Sequence, residues 1–309
     1  MGEGSASPDY RELFDDIEFR EDRASETVYS DTLVPWLEAN GEAAKSWLQG
    51  IAQRPGNPIP AMADEDLFCL YALSRVNDLL LVNFQPDRGC GGGPQISLAE
   101  YVSFMTALGL RSVEEAAFSP FFHEIVTVEQ DANTGSPIVI RGEYWPSFML
   151  GEMMFSRAGV AVSGGLDHIC KEIAENSTMY WAFRRKNRRR NDLSLGWGSN
   201  SQWGTCFRRD YRIGENFYFN VDGSNDLSRA QREADRDGLA PHERLELLLH
   251  RCFITATVAH HDDCFPFHDT YRITIPAGKG GDKSPLEPFR STPSGAFWRK
   301  IFLIFAMRR

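Results

Sequence analysis

The densest group of potential metal ligands lies near the end of the chain, where His260, Asp262 and His268 stand within a few residues of one another. Runs typical of strands flank them, at 252–259 and 271–275. Alternate residues of an extended strand share a side, so the pattern predicts His260 and Asp262 on one side and His268 across a hairpin. Imidazole and carboxylate ligands suit zinc, manganese or iron, and such an ion generates hydroxide from bound water near neutral pH. A polar hairpin tip without metal is the alternative interpretation.

A second group is basic, because residues 184–212 carry nine basic and two acidic side chains, a net charge of +7. Guanidinium groups bind phosphate through paired hydrogen bonds. They predict a phosphate-bearing small-molecule substrate, and nucleic acid only as a local patch. The candidate binding residues are Arg184, Arg185, Arg188, Arg189, Arg190, Arg208 and Arg209. Two structural interpretations compete with binding: the bases end a helix over about 167–190, where they complement its dipole, or they hold an acidic segment of the same chain.

Two tryptophans frame small polar residues between these arginines, and we treat four side chains there as candidate substrate contacts: Trp197, Asn200, Gln202 and Trp203. Aromatic walls with a few hydrogen-bonding groups are typical of small-ligand sites. A wide turn with buried tryptophans has the same composition, and spacing does not separate the two interpretations.

The sequence contains no GxSxG nucleophile motif, no HExxH helix motif and no CxxC pair, so no catalytic residue is assigned. Six widely spaced cysteines indicate reduced thiols rather than a disulfide framework. No apolar run approaches the roughly 18–20 residues of a membrane-spanning helix. The N-terminus lacks the order of a secretory signal, and we expect a cytoplasmic protein.

Acidic residues number 43 against 33 basic ones, which gives a formal net charge of −10. This balance argues against a surface devoted to nucleic acid. Residues 1–31 alone hold ten acids and three arginines, and we predict a surface-docked acidic arm. Residues 32–309 are predicted to form a single domain, with a long Gly/Pro-rich loop at 276–295.

The elements that position these groups change type along the chain. Helical patterns occupy 33–49, with a break expected at Asn40-Gly41, then 65–82 and a segment opened by the capping box Ser97–Glu100. Strand patterns then predict a hairpin from 124–130 and 137–145, and further strands at 213–221, with helices near 226–237 and 242–250. Helices followed by strands without regular βαβ alternation predict an α+β fold with a largely antiparallel sheet and interspersed helices.

Two function classes follow. The first is an intracellular hydrolase in which a divalent metal held by His260, Asp262 and His268 activates water against a phosphate-bearing substrate. The second is a non-catalytic interaction protein whose acidic surface binds or neutralises a basic protein partner, such as a toxin or regulator.

Overall fold

A computed structural model of the chain describes residues 8–20, 28–54, 56, 58–86, 92–186, 188–191, 203–229, 238–256 and 265–274. The helices in these ranges are α1 (Tyr10–Glu18), α2 (Val34–Ala52), α3 (Asp64–Leu80), α4 (Leu98–Ala107), α5 (Lys171–Ala174) and α6 (Pro241–His250). The first strands are β1 (Arg111–Val113), β2 (His123–Gln130), β3 (Val139–Trp145), β4 (Ser147–Leu150), β5 (Met153–Ser156) and β6 (Ala158–Gly164). The remaining strands are β7 (Met179–Tyr180), β8 (Arg190–Asn191), β9 (Asp210–Ile213), β10 (Asn216–Phe219), β11 (Asn225–Asp226) and β12 (Asp269–Thr274).

The N-terminal helices build the largest core cluster together with β4 and β5. The predicted helices at 33–49 and 65–82 are confirmed as α2 and α3, and Asn40-Gly41 does not interrupt α2. The capping box is also confirmed, because the Ser97 and Glu100 side chains each accept a hydrogen bond from the other residue's backbone N–H.

The α3 region, residues 64–84, is long and apolar enough by length and composition to cross a membrane. It lies inside the protein instead, since Leu70, Leu73 and Val76 are fully buried in the main cluster. A core helix of a globular protein passes the same test of length and composition, and this position identifies α3 as one.

The described strands form a seven-stranded sheet in the order β1-β4-β5-β9-β10-β12-β11, a three-stranded sheet in the order β2-β6-β3, and a parallel pair of β7 with β8. Within the larger sheet all pairs are antiparallel except β11 with β12. The predicted α+β fold with a largely antiparallel sheet is confirmed.

The predicted hairpin of 124–130 with 137–145 is wrong. β6 lies between β2 and β3, parallel to the former and antiparallel to the latter. Val160 and Val162 of β6 are almost fully buried in the second core cluster. A strand that is buried on both faces, such as β6, is favoured as the central strand of a sheet. The turn residues between β2 and β3 do not reveal that a later strand will pair with both of them.

The long helix predicted over 167–190 is also wrong, because only Lys171–Ala174 is α-helical there. The chain beyond it forms hydrogen bonds with distant segments: the Ser177 hydroxyl accepts from the Phe253 N–H, and the Tyr180 N–H donates to the Arg251 carbonyl. The following arginines therefore do not end a helix, and the dipole interpretation of their positions is withdrawn.

Two smaller expectations also differ from the structure. Residues 252–256 are not a strand, because the Glu246 carboxylate of α6 accepts the N–H groups of Ile254 and Thr255 in place of a neighbouring strand. Of the helix predicted near 226–237, Asn225–Asp226 is a strand and 227–229 is a turn, while the rest lies outside the described residues.

Candidate functional site

Arg185 lies at the centre of the predicted basic site but is buried, with 8% of its surface exposed. Its Nε donates to Glu124 Oε1 at 2.7 Å, and its Nη2 donates to Asp78 Oδ1 at 3.0 Å. Asp78 comes from α3 and Glu124 from β2, so Arg185 connects the helical layer with the three-stranded sheet. Its donors are directed at internal carboxylates rather than at solvent.

These two carboxylates respond differently to the same guanidinium. Burial alone raises the pKa of Glu124, but Arg185, Arg251 and Arg188 together outweigh it and hold that pKa below its ordinary value. At Asp78 burial wins and raises the pKa, although Arg185 and the Phe183 N–H oppose the shift. Glu124 accepts two hydrogen bonds from Arg185 and Asp78 accepts one, and the charge of Glu124 also raises the pKa of Asp78.

A second buried network surrounds Asp210 of β9. Its Oδ2 contacts Arg157 Nη2 at 3.1 Å and its Oδ1 contacts Arg208 Nε at 2.8 Å. Both arginines also donate to α6 carbonyls, Arg157 to Leu249 and Arg208 to Leu248, each at 2.8 Å. Arg208 therefore fastens α6 to the large sheet.

The other arginines of the predicted site are divided among separate internal contacts. Arg209 pairs with Asp222 and donates to the Pro60 carbonyl at 3.1 Å. Arg188 donates to the Ile125 carbonyl at 2.8 Å. Arg184 pairs with Glu18 of α1.

The Arg184–Glu18 pair joins the basic stretch to the predicted acidic arm. Residues 10–18 of that arm form α1, whose Leu13 and Phe14 lie in the largest core cluster. Arg189 and Arg190 remain exposed. The structure therefore does not gather the seven arginines into one surface patch.

The aromatic part of the predicted site divides at the border of the described residues. Trp197, Asn200 and Gln202 lie outside them. Trp203 is half-buried and packs edge-on against Phe14 of α1, with ring centroids 5.4 Å apart. Its indole supports the helical layer.

The metal hypothesis rests mainly on residues that the structure does not describe, since His260 and Asp262 fall in 257–264. His268 is described and exposed, in a short turn before β12. The neighbouring Asp269 is occupied by Arg244 and Asn225. Within the described ranges no group of three or more His, Cys, Asp or Glu side chains could hold a metal. The prediction that His260 and Asp262 share one side assumed a strand that begins at 252. Residues 252–256 are not a strand, so strand alternation no longer supports that prediction.

One pocket lies beside Arg185, lined among others by Trp145, Lys186 and Arg188. Its volume of about 20 Å³ accommodates about one water molecule. It is too small for a phosphate-bearing substrate.

The sequence analysis did not identify the carboxylates that pair with the buried arginines, namely Asp78, Glu124 and Asp210. A signal was present for two of them: Asp78 lies within α3 directly before the apolar residues 79–82, and Glu124 precedes an apolar β-branched run. A charged residue within an apolar segment is buried only when it is paired.

Comparison with known proteins does not indicate a function for this chain. No protein-family model, curated protein or solved structure matches it. Function is therefore argued from its own residues.

Proposed function

We propose that this protein is a non-catalytic binding protein whose acidic surface receives a basic protein partner. The observation that carries the proposal is the internal use of its arginines. Among the residues that the structure describes, six arginines are buried: Arg75, Arg157, Arg185, Arg208, Arg209 and Arg251. The positive charge that would serve a polyanion is thereby withdrawn from the surface, while the chain keeps its net charge of −10. A cationic partner is favoured by such a surface potential.

The outer face of α1 is the part of this surface that we assign to the partner. Asp9, Glu12, Asp15 and Asp16 are exposed there, and the helix packs its apolar face into the core. Asp9 caps the helix, and Glu12 lies in the first turn, where negative charge stabilises the helix dipole. Asp15 and Asp16 lie in the C-terminal half, where negative charge is unfavourable.

The local energetics of α1 therefore do not account for Asp15 and Asp16. Burial raises the pKa of Asp15, and the neighbouring charges of Asp16 and Asp9 raise it further. Neither aspartate has an ion-pair partner in the part of the chain that is described. A lysine or arginine from a partner would relieve this repulsion.

The test uses a lysine-rich peptide as a cationic probe, titrated at two salt concentrations by calorimetry. The double change Asp15→Asn and Asp16→Asn is expected to weaken binding about fivefold at low salt, since two ion pairs are lost. The dependence of affinity on salt is expected to become shallower as well.

The matched control is Glu38→Gln with Glu42→Gln, which removes the same charge from exposed positions of α2. This control is expected to change affinity less than twofold. Equal weakening by both pairs would show that only total charge matters and would contradict the assignment to α1. A wild-type protein that does not bind the probe at low salt would refute the binding proposal itself.

The metal-assisted hydrolase acting on a phosphate-bearing substrate is a second proposal. It is supported by the ligand types of His260, Asp262 and His268, and by the exposure of His268. The internal pairing of Arg185, Arg208 and Arg209 weighs against their recruiting substrate phosphate.

Metal removal tests this second proposal directly. Protein purified without chelator is expected to hold one equivalent of zinc, manganese or iron, and EDTA is expected to lower its unfolding temperature, because a ligand of the folded state stabilises that state. His268→Ala should abolish both effects. Unchanged melting with no bound metal would eliminate the hydrolase.

We also infer a reducing, cytoplasmic environment. Four described cysteines, Cys69, Cys170, Cys206 and Cys252, form no disulfide. Thiols in this state are typical of intracellular proteins.

A further inference from the structure

A cleft of about 190 Å³ opens on the large sheet, away from α1. Three apolar residues line its floor: Val113, which is half-buried, and Phe122 and Met149, which are 2% and 3% exposed. Arg111 and Arg212 line it and are themselves exposed. The cleft thus combines two cations with a hydrophobic base on a protein that is otherwise acidic.

Strand register places both arginines on one face of this sheet. Arg111 of β1 pairs with Met149 of β4, which pairs with Met154 of β5. Met154 pairs with Asp210 of β9, and Arg212 follows two residues later on the same side. Three strand spacings separate the two backbones by about 14 Å, and two long arginine side chains can reach a common ligand across that distance.

The Arg212 guanidinium is held in place before any ligand arrives. Its central carbon lies 5.5 Å from the ring centroids of both Phe122 and Phe217. Two glycine turns form the rim, at Gly151 and Gly214, and both glycines have positive φ. A Cβ on Gly151 would lie 2.9 Å from the Ala52 carbonyl oxygen, so this turn accepts only glycine.

The two arginines of the cleft are not neutralised by carboxylates of the described residues. Within the described ranges neither Arg111 nor Arg212 forms an ion pair, in contrast with Arg185 and Arg208. Glu152 is the one carboxylate among the lining residues described, and it is half-buried. The site therefore keeps a net positive charge.

We propose that this cleft binds a carboxylate that carries an apolar group, with the carboxylate held by Arg111 and Arg212 and the apolar group packed on Val113 at the apolar floor. Guanidinium groups match the planar carboxylate. The volume is below the roughly 300 Å³ of a drug-sized site, which limits the ligand to the size of about one amino-acid residue. Inorganic phosphate would leave the apolar floor unused. The shared chemistry belongs both to a free aromatic acid and to the C-terminal residue of a peptide.

The experiment titrates the full chain with three probes and follows amide chemical shifts by NMR. N-acetylphenylalanine is expected to bind with a dissociation constant on the order of 1 mM. N-acetylphenylalaninamide, which lacks the carboxylate, should bind at least tenfold more weakly. A tripeptide ending in phenylalanine identifies the source: tighter binding than N-acetylphenylalanine indicates a peptide terminus, and equal binding indicates a free acid.

Variants assign the binding to the cleft. Arg212→Gln and Arg111→Gln are each expected to weaken N-acetylphenylalanine about tenfold through loss of a charged hydrogen bond. Glu152→Gln is expected to strengthen it about threefold by removing a like charge. Arg272→Gln is the matched control, because Arg272 is exposed on the same sheet, stacks on Tyr218 at 5.2 Å and lies on the opposite face.

Thermal melting checks that each variant folds. If an arginine variant does not fold, the expected gain in affinity of Glu152→Gln still tests whether binding occurs in this cleft. Three results would each overturn the proposal: equal binding of the amide and the acid, equal weakening by Arg272→Gln and Arg212→Gln, or equal affinity for inorganic phosphate and N-acetylphenylalanine.

Discussion

Replacing Arg185 with methionine is expected to lower the free energy of unfolding by about 3–5 kcal/mol. The change leaves two buried carboxylates, Asp78 and Glu124, without the guanidinium that pairs them. Their mutual repulsion and their lost hydrogen bonds act in the same direction. Urea denaturation measures the loss as a shift of the midpoint at constant slope.

The control for this prediction is Arg190→Met, which changes an exposed arginine of the same basic stretch and is expected to alter stability by less than about 0.5 kcal/mol. Adding Glu124→Gln and Asp78→Asn to Arg185→Met should restore part of the loss, because no uncompensated charge then remains. Similar midpoints for Arg185→Met and Arg190→Met would mean that Arg185 is not a structural residue and would return it to the list of candidate phosphate ligands.

Asp210→Asn is expected to be similarly severe, at about 3–5 kcal/mol. The substitution removes the charge shared by Arg157 and Arg208, whose side chains are 0% and 1% exposed. It also weakens the acceptor of the Asn220 N–H. Chemical denaturation at neutral pH gives the magnitude.

The pH dependence of this effect follows from the direction of the shift. Burial alone raises the pKa of Asp210, but Arg208, Arg157 and Arg251 together outweigh it and hold the pKa below its ordinary value. A folded-state pKa below the unfolded one contributes stability that is present above about pH 4 and is lost as the pH falls through the folded value. The difference between wild type and Asp210→Asn should therefore narrow in acid.

Asp226→Asn is the matched control for Asp210→Asn. Asp226 also pairs with an arginine, Arg229, but the two side chains are 39% and 87% exposed, so water replaces the lost partner. We expect a loss of less than about 1 kcal/mol. If the two variants lost equal stability, the distinction between buried and solvent-accessible pairs would not hold here.

Local sequence determined those elements whose signals lie within a few residues. The capping box of Ser97 and Glu100 fixed the start of α4, apolar spacing fixed α3, and the helix predicted near 242–250 is confirmed as α6. The α+β class followed from the order of these patterns. Each signal acts between residues close in the chain, so one sequence is enough to detect it.

Tertiary structure alone decided the partners of strands and charges. β2 pairs with β6 and not with β3 as predicted, because the extent of burial determines which of two strands with similar β propensity becomes the neighbour. Arg185 meets Asp78 and Glu124 across sequence separations of 107 and 61 residues, which spacing cannot reveal. Arg111 and Arg212 likewise share a cleft only because four strands bring them to one face. Composition determined that this chain is acidic, whereas folding determined which cations remain at its surface, since burying a guanidinium requires a carboxylate that only the fold can supply.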